Sequence, residues 1–259
     1  VPRNEWATST DLEWMLRSLD GDTGRKERVL AAAFCRHVDH LMTEARCLKL
    51  LDVAKQLSVP QATAPLEPSF LRAALYRIEL CADGQGEPDE LAEICELTDR
   101  LSRSTAGYYY ACFDEDWGPF DHDLIATCEA ISAVSRACCP RVRLAEVSTH
   151  AARAAYRARG GTEQKRMDPV ESACQCNLIR DVFPVPPKWA TRVELVCQSP
   201  TANALAGQMY ESRDFDAMPI LADALQDAGC ADENILSHCR GPGPHVRGCW
   251  VVDLVLEKE

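Results

Sequence analysis

The sequence predicts an all-α protein, an irregular multi-helix bundle of roughly ten helices. Two observations carry this. Apolar residues recur at spacings of three and four through most of the chain, and Gly, Pro and Asp clusters interrupt that rhythm at helix-length intervals. A third is an absence: no alternating strand pattern of useful length precedes residue 249.

The elements follow in order. Thr10-Asp11-Leu12-Glu13 reads as a capping box, with Thr10 as N-cap and Glu13 reaching back, ahead of an apolar face of Leu12, Met15, Leu16 and Leu19. Leu30, Phe34, Val38 and Leu41 repeat at helical spacing. After a break near Met42-Thr43, Leu48, Leu51 and Leu57 continue it. Pro60, Pro65 and Pro68 mark a loop. Leu71, Leu75 and Ile78 predict a helix closed by Asp83-Gly84-Gln85-Gly86, and Leu91, Ile94, Thr98 and Leu101 predict the next. Tyr108 to Tyr110 and Trp117-Gly118-Pro119 read as an aromatic connector. Leu124, Cys128, Ile131 and Cys138 follow it, and then Leu144, Val147, Ala151 and Ala154.

Gly160-Gly161 and the polar run from Thr162 to Arg166 form the candidate boundary between a helical N-terminal region, 1–160, and a C-terminal helical unit, 165–259. The second unit opens on Asp168-Pro169-Val170-Glu171, where Asp168 can cap, Pro169 suits the first helical position and Glu171 completes the box. Phe183-Pro184-Val185-Pro186-Pro187 is extended. Ser199-Pro200 starts a helix with Leu205, Met209 and Tyr210. Pro219 starts another, which ends near Gly229. The run from Trp250 to Leu256 is β-branched, but Val246, Trp250 and Leu254 fit a helix beginning at Gly243-Pro244.

Composition narrows the classes of function. No apolar run approaches the ~20 residues of a membrane-spanning helix. A net charge of -12 opposes general binding to nucleic acid or anionic membranes, because phosphate-rich partners need a basic surface. The opening residues show no basic segment followed by an apolar one. The fourteen cysteines lie mostly at core-like helical positions, so free thiols in a reducing compartment are expected, with a cytoplasmic location.

The C-terminal forty residues carry a family resemblance. The runs from Pro219 to Cys230, Ile235 to Arg240 and Gly241 to Leu254 resemble the C-terminal signature of a large paralogous family of planctomycete bacterial proteins. Cys176 to Phe183 resembles that family's upstream stretch, and Glu5-Trp6 with Thr10-Asp11, then Arg25-Lys26 leading to Phe34-Cys35-Arg36, resemble its opening. Residues 55–160 are divergent. The chain departs from the pattern at the prolines after Phe183 and at Glu257, where a glycine is common. The resemblance implies an all-helical fold and brings no reaction, cofactor or partner with it.

The candidate sites lie in the same region. His238, Cys239, His245 and Cys249 form a Cys/His set suited to zinc, with His245 and Cys249 four apart on the expected helix. His245 and Arg247, at that helix's N-terminus, are an anion candidate. Nominal thiol–base pairs are Cys239 with His245 and Cys35 with His37 or His40, but no orienting third residue follows from spacing, so no catalytic residue is assigned. Cys138-Cys139 and Cys174-Gln175-Cys176 are close pairs with redox potential only if exposed. The function expected first is a non-enzymatic protein-interaction or regulatory module with a protein partner and no predicted cofactor. The alternative is a small zinc-binding protein or an enzyme using the C-terminal Cys/His turn.

Overall fold

The computed structural model describes residues 3–19, 24–56, 68–111, 121–139, 141–162, 168–184 and 199–258. Among these residues there are thirteen α-helices, one 3₁₀ turn and no strand, so the fold is all-α. In chain order the helices are α1 (Arg3–Thr8), α2 (Leu12–Ser18), α3 (Arg25–His37), α4 (Glu44–Gln56), α5 (Pro68–Ala82), α6 (Pro88–Ala111), α7 (His122–Cys138), α8 (Leu144–Ala158), α9 (Pro169–Val182), α10 (Pro200–Ser212), α11 (Met218–Asp227), α12 (Glu233–Arg240) and α13 (Trp250–Val255). The 3₁₀ turn, Asp39–Leu41, precedes the expected break at Met42-Thr43, so α3 ends at His37 rather than running on to Leu41.

Most helix positions follow the sequence reading; several caps do not. Ser199 caps α10 as expected, its side chain accepting from the Ala202 N–H at 3.1 Å. The N-cap of α2 is Asp11 rather than Thr10: its carboxylate accepts from the Trp14 N–H at 2.9 Å. Asp168 accepts from the Val170 N–H at the start of α9. Glu171 does not close a box there. It is buried, and its carboxylate faces His37 at 3.2 Å. Tyr108 to Tyr110 continue α6, while residues 112–120 and 185–187 lie outside the described residues.

Two compact units emerge. A central unit comprises Glu27–Ser172; a terminal unit joins Val1–Lys26 to Ala173–Glu259. The chain therefore divides within α3 and α9. Gly160-Gly161 instead closes α8, with Gly161 N–H donating to Tyr156 C=O and Gly160 N–H to Arg157 C=O, a Schellman arrangement.

In the central unit α7 packs against α5, α6 and α8. Thirteen of its seventeen residues are buried, the pattern of a helix enclosed on all sides. Alanines on both α7 and α8 keep the side chains small where the two helices pack. Polar side chains of α7 find partners within the unit, apart from the buried Ser135 hydroxyl, which has none among the described residues. Thr127 donates to Leu41 C=O, Glu129 meets His150 at 2.6 Å, and Ser132 pairs with Ser102 of α6 at 2.9 Å.

The terminal unit has a core of α10 to α13 side chains, including Met209, Tyr210, Leu221, Leu225, Leu236 and Val251. Arg25 makes a two-pronged contact with buried Asp253, at 2.7 and 2.9 Å, and also donates to the Tyr210 hydroxyl at 2.8 Å. Trp6 is buried; its indole N–H donates to Phe183 C=O at 3.1 Å, and its ring meets Trp14 edge-on. Glu257 adopts a φ of 53°, left-handed backbone that glycine takes without strain.

Two predictions follow from these ion pairs. Asp253→Ala removes the buried carboxylate that Arg25 grips with both nitrogens and lowers unfolding free energy by about 3 kcal/mol, measured by urea titration; a loss within the range of ordinary surface substitutions would refute the role given to this pair. His37 concerns pH. Its hydrogen bond with Glu171 raises its pKa, against burial and the Arg159 charge, which lower it. A raised folded-state pKa means the stabilisation is fully present below the unfolded value of 6.5 and disappears as pH rises through the folded one. Urea midpoints of the wild type and His37→Gln should therefore differ most in mild acid and converge in mild alkali.

Candidate metal centre

Three segments of the terminal unit bring four side chains to one point. Asp181 is the penultimate residue of α9, His238 stands in the last turn of α12, His245 lies in the α12–α13 connection, and Cys249 is the N-cap residue of α13. One ligand atom from each lies within 4.8 Å of all the others.

The local backbone explains the convergence. Asp232 caps α12 by accepting from the Asn234 N–H. The amphipathic run that follows buries Ile235, Leu236 and Cys239 and leaves His238 beside α9. The connection then turns back. Gly243 has a φ of 72°, and a Cβ placed there would meet the His245 backbone nitrogen at 3.1 Å and the imidazole Cδ2 at 3.5 Å. The Cys249 N–H donates to Val246 C=O at 2.8 Å, closing the turn that sets the thiol beside the histidines.

Asp181 organises the group. Its Oδ1 lies 2.8 Å from His245 Nδ1 and 3.1 Å from His238 Nε2, and its Oδ2 accepts from the Val246 N–H at 2.8 Å. Cys249 Sγ lies 3.2 Å from His238 Nε2 and 4.0 Å from His245 Nδ1. The His238 ring meets His245 edge-on and leans on Trp250. Asp181 and Cys249 are buried. Burial alone would raise the Asp181 pKa, but the hydrogen bonds from His238 and His245 outweigh it and hold the carboxyl below the usual range. Burial first, then the Asp181 charge, push the Cys249 thiol well up.

Each imidazole presents one and the same nitrogen to both the carboxylate and the thiol. A thiol–imidazole–carboxylate relay needs the two partners on opposite ring nitrogens, so that one orients the ring while the other exchanges a proton. Here all four groups point inward at a common centre, as metal ligands do. Atoms around a tetrahedral zinc stand about 3.3–3.6 Å apart, given Zn–N and Zn–S bonds of about 2.0 and 2.3 Å. The separations above bracket that range. Charge fits as well: one carboxylate and one thiolate with two neutral imidazoles balance a dication, which removes the like-charge conflict between Asp181 and Cys249.

The structure thus brings together His238, His245 and Cys249 of the expected metal set, but not Cys239. Successive helical residues point about 100° apart, so Cys239 turns into the core while its neighbour faces α9. Burial raises its thiol to about 12. The helix expected from Pro244 begins only at Trp250, so His245 and Cys249 converge through a turn rather than along a helical face. That later start also removes the helix N-terminus from the anion reading. His245 is engaged by Asp181, and Arg247 is buried with its guanidinium 4.2 Å above the Tyr210 ring. Cys35 is wholly buried with its pKa raised by burial, which is unsuited to a nucleophile.

Asp181 was not anticipated. Its one signal in the sequence is an acid beside Arg180 between the apolar Ile179 and Val182. Comparison with protein-family models, with curated proteins and with solved structures gives no match.

Gly243 supplies a test of this geometry that leaves all four ligands in place. Gly243→Ala introduces strain at positive φ and presses on His245, so metal affinity should fall by on the order of tenfold in a competitive chelator titration. Unchanged affinity would mean that the loop does not position His245.

Proposed function

We propose that this chain is a zinc-binding protein in which Asp181, His238, His245 and Cys249 hold a closed, structural ion. The observation that carries this reading is the convergence of four ligand atoms of suitable chemistry within 4.8 Å of one another. The mixed nitrogen, sulfur and oxygen set favours zinc over calcium or magnesium, which take oxygen ligands. Four protein ligands leave no open position for a water or substrate, and the Asp181 and His245 side chains are only 2% and 9% exposed. The ion's role is to cross-link the end of α9 to the segment from His238 to Cys249, so that binding energy becomes folding energy for the terminal unit.

The expectation of a protein-interaction module gains less from the structure. The large exposed apolar side chains Leu48, Tyr76, Val170 and Ile220 lie one to a helix, on α4, α5, α9 and α11, and single side chains of this kind are ordinary on protein surfaces.

Metal analysis of the full chain purified without chelator should find about one zinc per chain. Cobalt substitution should give tetrahedral d–d bands and a thiolate-to-cobalt charge-transfer band. Cys249→Ser should lose that band and most of the metal, whereas Cys239→Ser should keep both. A wild-type chain that holds no zinc and takes up no cobalt would overturn the proposal.

A further inference from the structure

A second pair of reactive groups lies in the central unit, independent of the metal reading. Cys95 on α6 and Cys139, the residue that ends α7, are 44 positions apart in sequence, yet their sulfurs stand 3.6 Å apart. Both are partly exposed, while Cys35, Cys128 and Cys138 of the same unit are buried. The surrounding structure holds the two thiols in place. Ser102 and Ser132 pair across the same two helices, and Arg28 donates to the Cys139 carbonyl at 3.4 Å. Cys139 has left the helix, with φ -57° and ψ 144°, and its thiol contacts the Ser135 carbonyl at 3.5 Å. A disulfide bond is about 2.0 Å long, so closure needs the sulfurs to approach by about 1.6 Å. Side-chain rotation at a residue outside the helix supplies a movement of that size.

We propose that Cys95 and Cys139 form a reversible redox pair that closes to a disulfide between α6 and the end of α7. The co-reactant is a low-molecular-weight disulfide of the glutathione class. One cysteine thiolate attacks a sulfur of that disulfide and expels one thiolate, leaving a mixed disulfide. The second cysteine thiolate then attacks the protein sulfur of the mixed disulfide and expels the other. The protein gives up two thiol protons and two electrons, and the small disulfide is reduced to two thiols. Cys138, adjacent in sequence but buried, takes no part. The closed form ties together two helices that pack side by side in the central unit.

The experiment equilibrates the full chain in glutathione buffers of graded poise, blocks remaining thiols with N-ethylmaleimide, and analyses proteolytic peptides by mass spectrometry. A linked Cys95–Cys139 peptide is expected in oxidising buffers and is lost in reducing ones. Cys95→Ser and Cys139→Ser should each abolish it, and Cys138→Ala should retain it. Absence of that peptide in every buffer, or a Cys95–Cys138 link in its place, would overturn the proposal. So would a bond that persists in about a hundredfold excess of reduced glutathione, since the link would then be permanent.

Discussion

A carboxylate taken out of water must find donors for both its oxygens, and at Asp181 those donors come from residues distant in sequence. His238 and His245 serve one oxygen and the Val246 N–H serves the other. Apolar burial is non-directional, so the core of α10 to α13 does not by itself aim a polar side chain. The carboxylate tolerates far fewer arrangements, because any that misplaces a donor leaves a buried charge unpaired. The path of the α12–α13 connection, the aim of both imidazoles and the approach of Cys249 all answer to that requirement. Asp253, held by Arg25, imposes a comparable demand on α13.

The helices were legible because their causes are local. Proline at a first turn, serine at a cap and apolar residues three and four apart act within a few residues, and α5, α7, α8 and α10 lie where those signals place them. Errors arose where a polar side chain had a stronger remote partner. Glu171 looked like a capping residue and instead faces His37, which is 134 positions away. Thr10 and Asp11 are both good caps, and only the backbone path chooses between them. Asp181 was invisible because its partners lie 57 and 64 residues onward, beyond the reach of any periodicity.

Cysteines stand in different environments here, and neighbours in sequence do not share them. Cys239 follows His238 yet fills the core, while Cys249, ten residues later, faces that histidine. Cys138 is packed inside and Cys139 meets Cys95 near the surface. The distinction is angular: a step of one residue on a helix, or past its end, turns the side chain to a different environment. Counting cysteines therefore says how many thiols there are, and only the fold says which of them can react.

The two ends of the chain share one unit, with the central unit's residues lying between them. Translation delivers these parts in an awkward order. Trp6 and Arg25 leave the ribosome well before Phe183 and Asp253, to which they bond. The middle segment has all its own contacts available while the nascent amino-terminal stretch still waits. The earlier segment is therefore secured only after the later one emerges, and in that interval the apolar indole of Trp6 lacks the pocket that buries it in the finished fold.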